Sequence, residues 1–247
     1  MDSSYNLTIY QHPLPDNIYA IGGDPAEGLE RGDDSVLEGV CCNSGEQIFE
    51  LYGKIEPVSF GELAYMMGVY YNDALIGIEN NRDNTSIRVL RDLGYKNIYL
   101  EHTETNRSYR KPTDKMGWNT NLRTRPQLIA LGRQYMSDGS AIPRSIKLIN
   151  QFKNFALHMG VFRGLPGSHD DFVMAWLICM EMMRFQLMIM EAKKSSLKPL
   201  LNGEEVNEAY LSDWAEEKMQ SYPERLIAST QKRDREPDNL TGMGSYV

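Results

Sequence analysis

Asp24, Glu79 and the pair Asp170-Asp171 are residues whose types and settings could do chemistry in this chain. Asp24 follows the short apolar run Ile18-Tyr19-Ala20-Ile21 and two glycines, so it closes a buried strand. Glu79 closes a second apolar run, ALIGIE, just before Asn80-Asn81. Asp170 and Asp171 stand directly ahead of FVMAWLICM, where a buried helix begins. Each acid alone has an ordinary explanation, because Asp favours turns and caps helices. Carboxylates drawn from three distant segments to one sheet edge would repel each other unless divalent cations neutralised them. Hard oxygen ligands suit Mg²⁺ or Mn²⁺. Two such ions roughly 4 Å apart activate a water and stabilise the leaving oxygen in phosphodiester hydrolysis. Gly22 and Gly23 would then let metal or phosphate approach the backbone.

The fold has to bring these acids together. The run ending at Asp24, then SVLEGVCCN and EQIFELYGKI, read as three strands joined by short turns, hence an antiparallel meander. SFGELAYMMGVYYN has helical spacing; ALIGIE is a fourth strand; NTSIRVLRDLGY is a helix with Asn84 as cap and Gly94 as stop. KNIYLE is a fifth strand, and the intervening helix makes the fourth and fifth strands parallel. With the first strand central, its end lies beside the end of the fourth. The expected class is α/β, a mixed sheet of five or more strands with helices on both faces. Residues 102 to 120 are polar and turn-rich, a flap or hairpin. NLRTRPQLIALGRQYMSDG and SIKLINQFKNFALH are helices, and HMGVFRGLPGS is a glycine-rich bend. Residues 1 to 16 read as a lead-in arm or linker stub. Residues 193 to 247 read as a helical extension anchored by Trp214, with a polar disordered tail.

Composition bounds the function class. With 247 residues, 41% hydrophobic and 24% charged, the chain can bury a sizeable core. Cys41, Cys42 and Cys179 have no zinc-finger or disulfide spacing and read as reduced core residues. No secretory leader is legible at the start, and the helix from Asp171 is interrupted by Glu181, Arg184 and Gln186, which speaks against a membrane span. The expected location is the cytoplasm. The net charge of −8 argues against a basic nucleic-acid binder, yet positive charge concentrates between His102 and Gln151. Arg107, Arg110, Lys111, Lys115, Arg123, Arg125, Arg144 and Lys147 are candidate phosphate contacts there, with Tyr109 and Trp118 interleaved. A solvated face of snorkelling side chains is the plainer reading of that stretch. For Trp118 an anchor of its own hairpin is the plainer reading, and His12, His102 and His158 read as ordinary surface or core residues.

In order and spacing, GGDPAEG, DDSV, GIENN, TDKMGWNT and HDDFVMAWLI resemble the ribonuclease H-like nuclease domain of tailed-phage terminase large subunits. The resemblance runs from about residue 17 to 192. It implies Asp24, Glu79 and Asp171 as metal ligands, Asp170 as an adjacent contributing acid, and His169 as a residue near the metals. It further implies two Mg²⁺ or Mn²⁺ ions, double-stranded concatemeric viral DNA as substrate, and host-cell cytoplasm as the place of action. Implied partners are a terminase ATPase domain, the small terminase subunit and the portal.

Two other readings compete. A Holliday-junction resolvase or transposase-like nuclease shares the fold and the acids. A non-catalytic DNA- or portal-docking module would use the same acids only to cap turns.

Overall fold

The computed structural model describes residues 5–81, 84–105 and 109–201. An interior strand of its main sheet is β2 (Tyr19–Asp24), buried almost throughout, as its apolar and glycine composition requires. β3 (Ser35–Cys41) pairs antiparallel with β2, and β4 (Gln47–Gly53) antiparallel with β3, so the meander forms as its short turns demand. β5 (Leu75–Ile78) runs parallel to β2 on the other side. β1 (Tyr5–Ile9) pairs antiparallel with β4 and completes the order β1-β4-β3-β2-β5. The first strand of the predicted meander is therefore interior, flanked by β3 and β5, though the middle place of the five falls to β3, because β1 joins beyond β4; its parallel neighbour ends beside it.

The fifth strand of this sheet comes from the lead-in segment. YNLTI is exposed along its whole length and carries none of the burial pattern by which a core strand is recognised. KNIYLE contributes one parallel bridge, Ile76 to Ile98, with Tyr99 N–H donating to Ile76 O at 2.8 Å. Its end continues into β6 (Leu100–Thr105), which pairs with β7 (Tyr109–Met116), the hairpin expected for residues 102 to 120.

Gly22 and Gly23 show how helices cover both faces. Successive residues of a strand point to opposite sides. A Cβ on Gly23 would meet Phe60 of α1 (Pro57–Tyr70) at 3.3 Å. One on Gly22 would lie 2.2 Å from Cys179 N of α5 (Asp171–Leu201). These glycines therefore serve helix packing, a correction to the sequence-based expectation that they open the backbone to metal or phosphate. On the α1 side, Ile21, Leu37, Phe49, Leu51 and Phe60 form the main core, and α2 (Thr85–Asp92) adds Ile87 and Leu90. On the other side α5 lies on the sheet, and α3 (Thr124–Ser137) approaches it closely enough that a Cβ on Gly132 would strike Leu177.

α4 (Ile146–Lys153) starts at Ser145, whose hydroxyl accepts from Leu148 N–H at 3.1 Å. It is shorter than the sequence suggests. Residues 155–158, read as its continuation, form β8 (Phe155–His158), and the glycine-rich bend contributes β9 (Val161–Gly164). Met159 and Gly160 take positive φ between them, as a tight hairpin turn requires.

The chain divides into two compact units, Met1–Thr103 with Pro112–Ala192, and Glu104–Lys111 with Lys193–Val247. Beyond 201, including Trp214, the sequence-based expectations lie outside the described residues. Among the described residues one segment, Asp171–Glu191, is long and apolar enough to cross a membrane, and 78% of its most apolar window is buried. Burial against the sheet accounts for its composition. The three cysteines are free and buried, as expected.

Candidate active site

The parallel pairing of β2 and β5 sets the first two acids side by side. Gly23 is in register with Ile78, and Glu79 N–H donates to Gly23 O at 2.9 Å, carrying the ladder one residue past β5. The two carboxyls are near enough that the charge of Glu79 bears directly on Asp24. Asn81 fixes the glutamate from outside: its amide donates to Glu79 Oε1 at 3.2 Å and to Thr120 O at 2.6 Å. Burial holds the Asp24 carboxyl well above the usual carboxylate range, and the negative charges of Glu79, Asp171 and Asp170 add to it. Burial is the larger cause and the neighbouring carboxylates the smaller, and bound positive charge would oppose both.

α5 delivers the other two acids. Its first N–H groups are not capped by Asp170 or Asp171. Gln151 of α4 takes that role, accepting from Phe172 N–H at 2.9 Å and Val173 N–H at 3.4 Å. The capping explanation of the acidic pair thus gives way, and both carboxylates face other partners. Asp171 Oδ2 accepts Asp34 N–H at 3.1 Å. Burial pushes Asp171 up to about 6 against that hydrogen bond, and Asp33 and Asp170 push the same way. Asp170 Oδ2 is gripped by Arg125 Nη2 at 2.5 Å, and the same guanidinium donates from Nε to Phe162 O at 2.9 Å.

A further acid enters from the loop between β2 and β3. Asp33 Oδ1 lies 3.0 Å from His169 Nδ1, and ligand atoms of Asp33, His169 and Asp171 all fall within 4.8 Å of one another. Asp33 stands in DDSV, where an acid in a loop carries no mark that distinguishes a ligand from a turn residue. Gln151 carried no signal at all, since nothing in the chain marks a glutamine as the cap of a helix that begins twenty residues later.

Asp24 thus feels the charges of Glu79, Asp171 and Asp170, while among the described residues the ligand atoms that fall within 4.8 Å of one another are those of Asp33, His169 and Asp171. The candidate phosphate contacts are dispersed. Arg107 lies outside the described residues, and Arg110 and Lys111 are in β7. Lys115 is exposed, 3.9 Å from Glu101. Arg123 is exposed ahead of α3. The charge of Arg125 is matched by Asp170. Arg144 pairs with Glu46 at 2.7 Å, at the opposite end of the strands from Asp24. Lys147 stands 4.5 Å over the Tyr52 ring, which packs on Phe172 of α5. Trp118 is buried and bridges Glu79 through its main chain, an anchor for the hairpin base.

A mixed five-stranded sheet in this order, covered by helices, matches a ribonuclease H-like fold. The chain shares this fold with the large terminase nuclease of thermophilic phage G20c (TM-score 0.54, 18% identity, over 71% of this chain and 87% of that one). The same nuclease with bound magnesium aligns at TM-score 0.55 and 17% identity, over 71% and 86% of the two chains. The large terminase nuclease domain of Thermus phage P74-26 aligns at TM-score 0.53 and 17% identity, over 70% and 83%. The G20c nuclease also has structures with bound cobalt and with bound zinc. No family model matches the chain, and no curated protein matches it in sequence.

Proposed function

We propose that this chain is a divalent-metal-dependent endodeoxyribonuclease of a phage packaging terminase, cutting double-stranded concatemeric DNA in the host cytoplasm. The observation that carries the reading is that β2 and β5 end side by side at Asp24 and Glu79, that Asp171 and Asp170 are near enough to bear on Asp24, and that Asp33, His169 and Asp171 gather their ligand atoms within 4.8 Å. The donor set fits hard divalent ions, because it is all oxygen but for one imidazole and has one guanidinium to offset its charge. Asp24, Glu79 and Asp171 would hold the ions, and the group Asp33, His169 and Asp171 offers a second position beside them. Mg²⁺ or Mn²⁺, two ions in all, would supply an activated water and stabilisation of the leaving oxygen.

The chain's own residues then have distinct tasks. Asp24 would bind an ion as the carboxylate, releasing the proton that burial favours. Asn81 orients Glu79, and the Asp34 N–H orients Asp171. Arg125 keeps Asp170 at the rim of the cluster. Gln151 anchors the start of α5, so that both its acids are fixed to the sheet edge rather than to a loop. The shared fold supports a terminase setting, with an ATPase domain, the small terminase subunit and the portal as proposed partners. Residues 17 to 192 would be the nuclease proper.

Plasmid DNA incubated with the protein and Mn²⁺ should be linearised and degraded, and Asp24→Ala should abolish this while its circular dichroism stays native. Retained cutting by Asp24→Ala defeats the assignment. A strong preference for four-way junctions over linear duplex would transfer it to a resolvase.

A further inference from the structure

Beside the acid cluster lies a groove of opposite character. Between α2 and the base of the β6–β7 hairpin is a cavity of about 500 Å³, whose walls, among the described residues, carry Arg88, Arg91 and Lys115 against one acid, Glu101. Arg88 and Arg91 stand one turn apart on the exposed side of α2. Arg88 Nη2 donates to Thr85 Oγ1 at 2.9 Å, and Arg91 Nη2 meets Asp92 Oδ1 at 3.0 Å. These are exposed local contacts, each using only part of a five-donor guanidinium.

The groove is rigid and continuous with the acids. Asn80 lies in its floor, is the next residue after Glu79, donates from its main chain to Trp118 O at 2.9 Å and from its amide to Met116 O at 2.8 Å. α2 is seated tightly on α1, where a Cβ on Gly61 would lie 2.6 Å from Ser86 O. None of the described residues lining the groove is aromatic, and their cations and amides offer no stacking platform for a base. Cations and amides without a stacking surface recognise a phosphodiester backbone and leave base sequence unread.

The geometry points to this groove as the seat of the DNA backbone flanking the cleaved bond, with Arg88 and Arg91 as phosphate contacts. The inference rests on the nuclease reading for its substrate. It moves the grip away from the cations between His102 and Gln151, of which, among the described residues, Lys115 is the one that lines the groove.

The test is the salt dependence of duplex binding, measured by fluorescence anisotropy with Ca²⁺ in place of a catalytic ion. Arg88→Gln/Arg91→Gln should weaken a labelled 30-mer duplex about tenfold or more and flatten the log–log salt slope by about 2, one for each lost phosphate contact. Cleavage by the same variant should show a raised KM with kcat little changed, and Mn²⁺ should still raise its melting temperature as it does the wild type's. Arg88→Glu/Arg91→Glu should bind more weakly still. An unchanged slope in both variants overturns the proposal, as does ATP binding that the variants lose while duplex affinity persists. Should the wild type bind duplex through this groove and yet cut nothing with Mn²⁺, the groove stands and the nuclease reading falls; cutting with an unaltered slope gives the reverse.

Discussion

Two pairs of carboxylates lie on the same face of the central sheet, one row apart, and their fates differ. Asp24 pairs across strands with Val36 at the sheet edge, whereas Glu38, two residues further along β3, pairs with Gly22 and with Glu50 of β4. Glu38 and Glu50 are buried, and burial first, then Glu50, drives the Glu38 carboxyl well above its usual range. Gln47 Nε2 donates to Glu38 Oε2 at 2.5 Å, and Gln47 Oε1 accepts from Arg144 and Ser145 N–H at 2.6 and 2.8 Å. This pair is thereby sewn into the joint between β4 and the start of α4. The Asp24 group has the same excess of negative charge but an open rim, where Asp33 and His169 are each 61% exposed at the side chain. Burial and like charge raise a carboxyl in both places. Only the edge group offers a cation or a phosphate a way in.

The widest separation between the two groups should come from neutralising one acid in each. Asp24→Asn should lower Mn²⁺-dependent cleavage by about 10³-fold or more, the scale for removing a member of a catalytic unit. Glu38→Gln should leave cleavage within a few-fold of wild type; equal losses would erase the distinction. Without divalent ions Asp24→Asn should melt above the wild type, because it removes an acid held among like charges.

Gly22 joins the two groups, being the neighbour of Glu38 and the contact point of α5. Gly22→Ala should cost ~3 kcal/mol or more, since its new methyl meets helix backbone that cannot move aside. A urea titration measures it, and a loss below ~1 kcal/mol would contradict the packing described.

Smaller effects sharpen the contrast through pH. Glu38 keeps its proton in the fold and loses it on unfolding, so the wild type loses stability as pH rises from about 4, the unfolded value, until the folded carboxyl ionises. Glu38→Gln should therefore gain on the wild type as pH rises, as read by denaturation at acid and mildly alkaline pH. A constant difference would mean that Glu38 is not held protonated. Gln151→Ala should cost about 1 kcal/mol through the lost cap of α5. It should also weaken Mn²⁺ binding several-fold by loosening Asp170 and Asp171, an effect absent if the cap serves only the helix.

Much of this was legible in the chain. Asp24, Glu79 and Asp171 each terminate or begin an element whose apolar run marks it plainly, so their places follow once the strand order is known. β1 escaped because an exposed edge strand carries no burial pattern. β8 and β9 escaped because FALHMGVFRG is short, mixed in polarity and adjoins a true helix. Arg125 looked like a phosphate contact because sequence cannot reveal that Asp170 already faces it. Asp33 and Gln151 act from a loop and a neighbouring helix, and only the folded chain brings them to the acids.

Calorimetric titration of Mn²⁺ into the ion-free protein, in buffers of different ionisation enthalpy, addresses the central claim most directly. Asp24 is held protonated and Asp171 is pushed up to about 6, so the ion must displace protons, and affinity should fall as pH drops through about 6. The account predicts binding with proton release in the wild type and in Glu38→Gln, and its loss in Asp24→Asn. Binding that is absent from the wild type, or undiminished in Asp24→Asn, would contradict it.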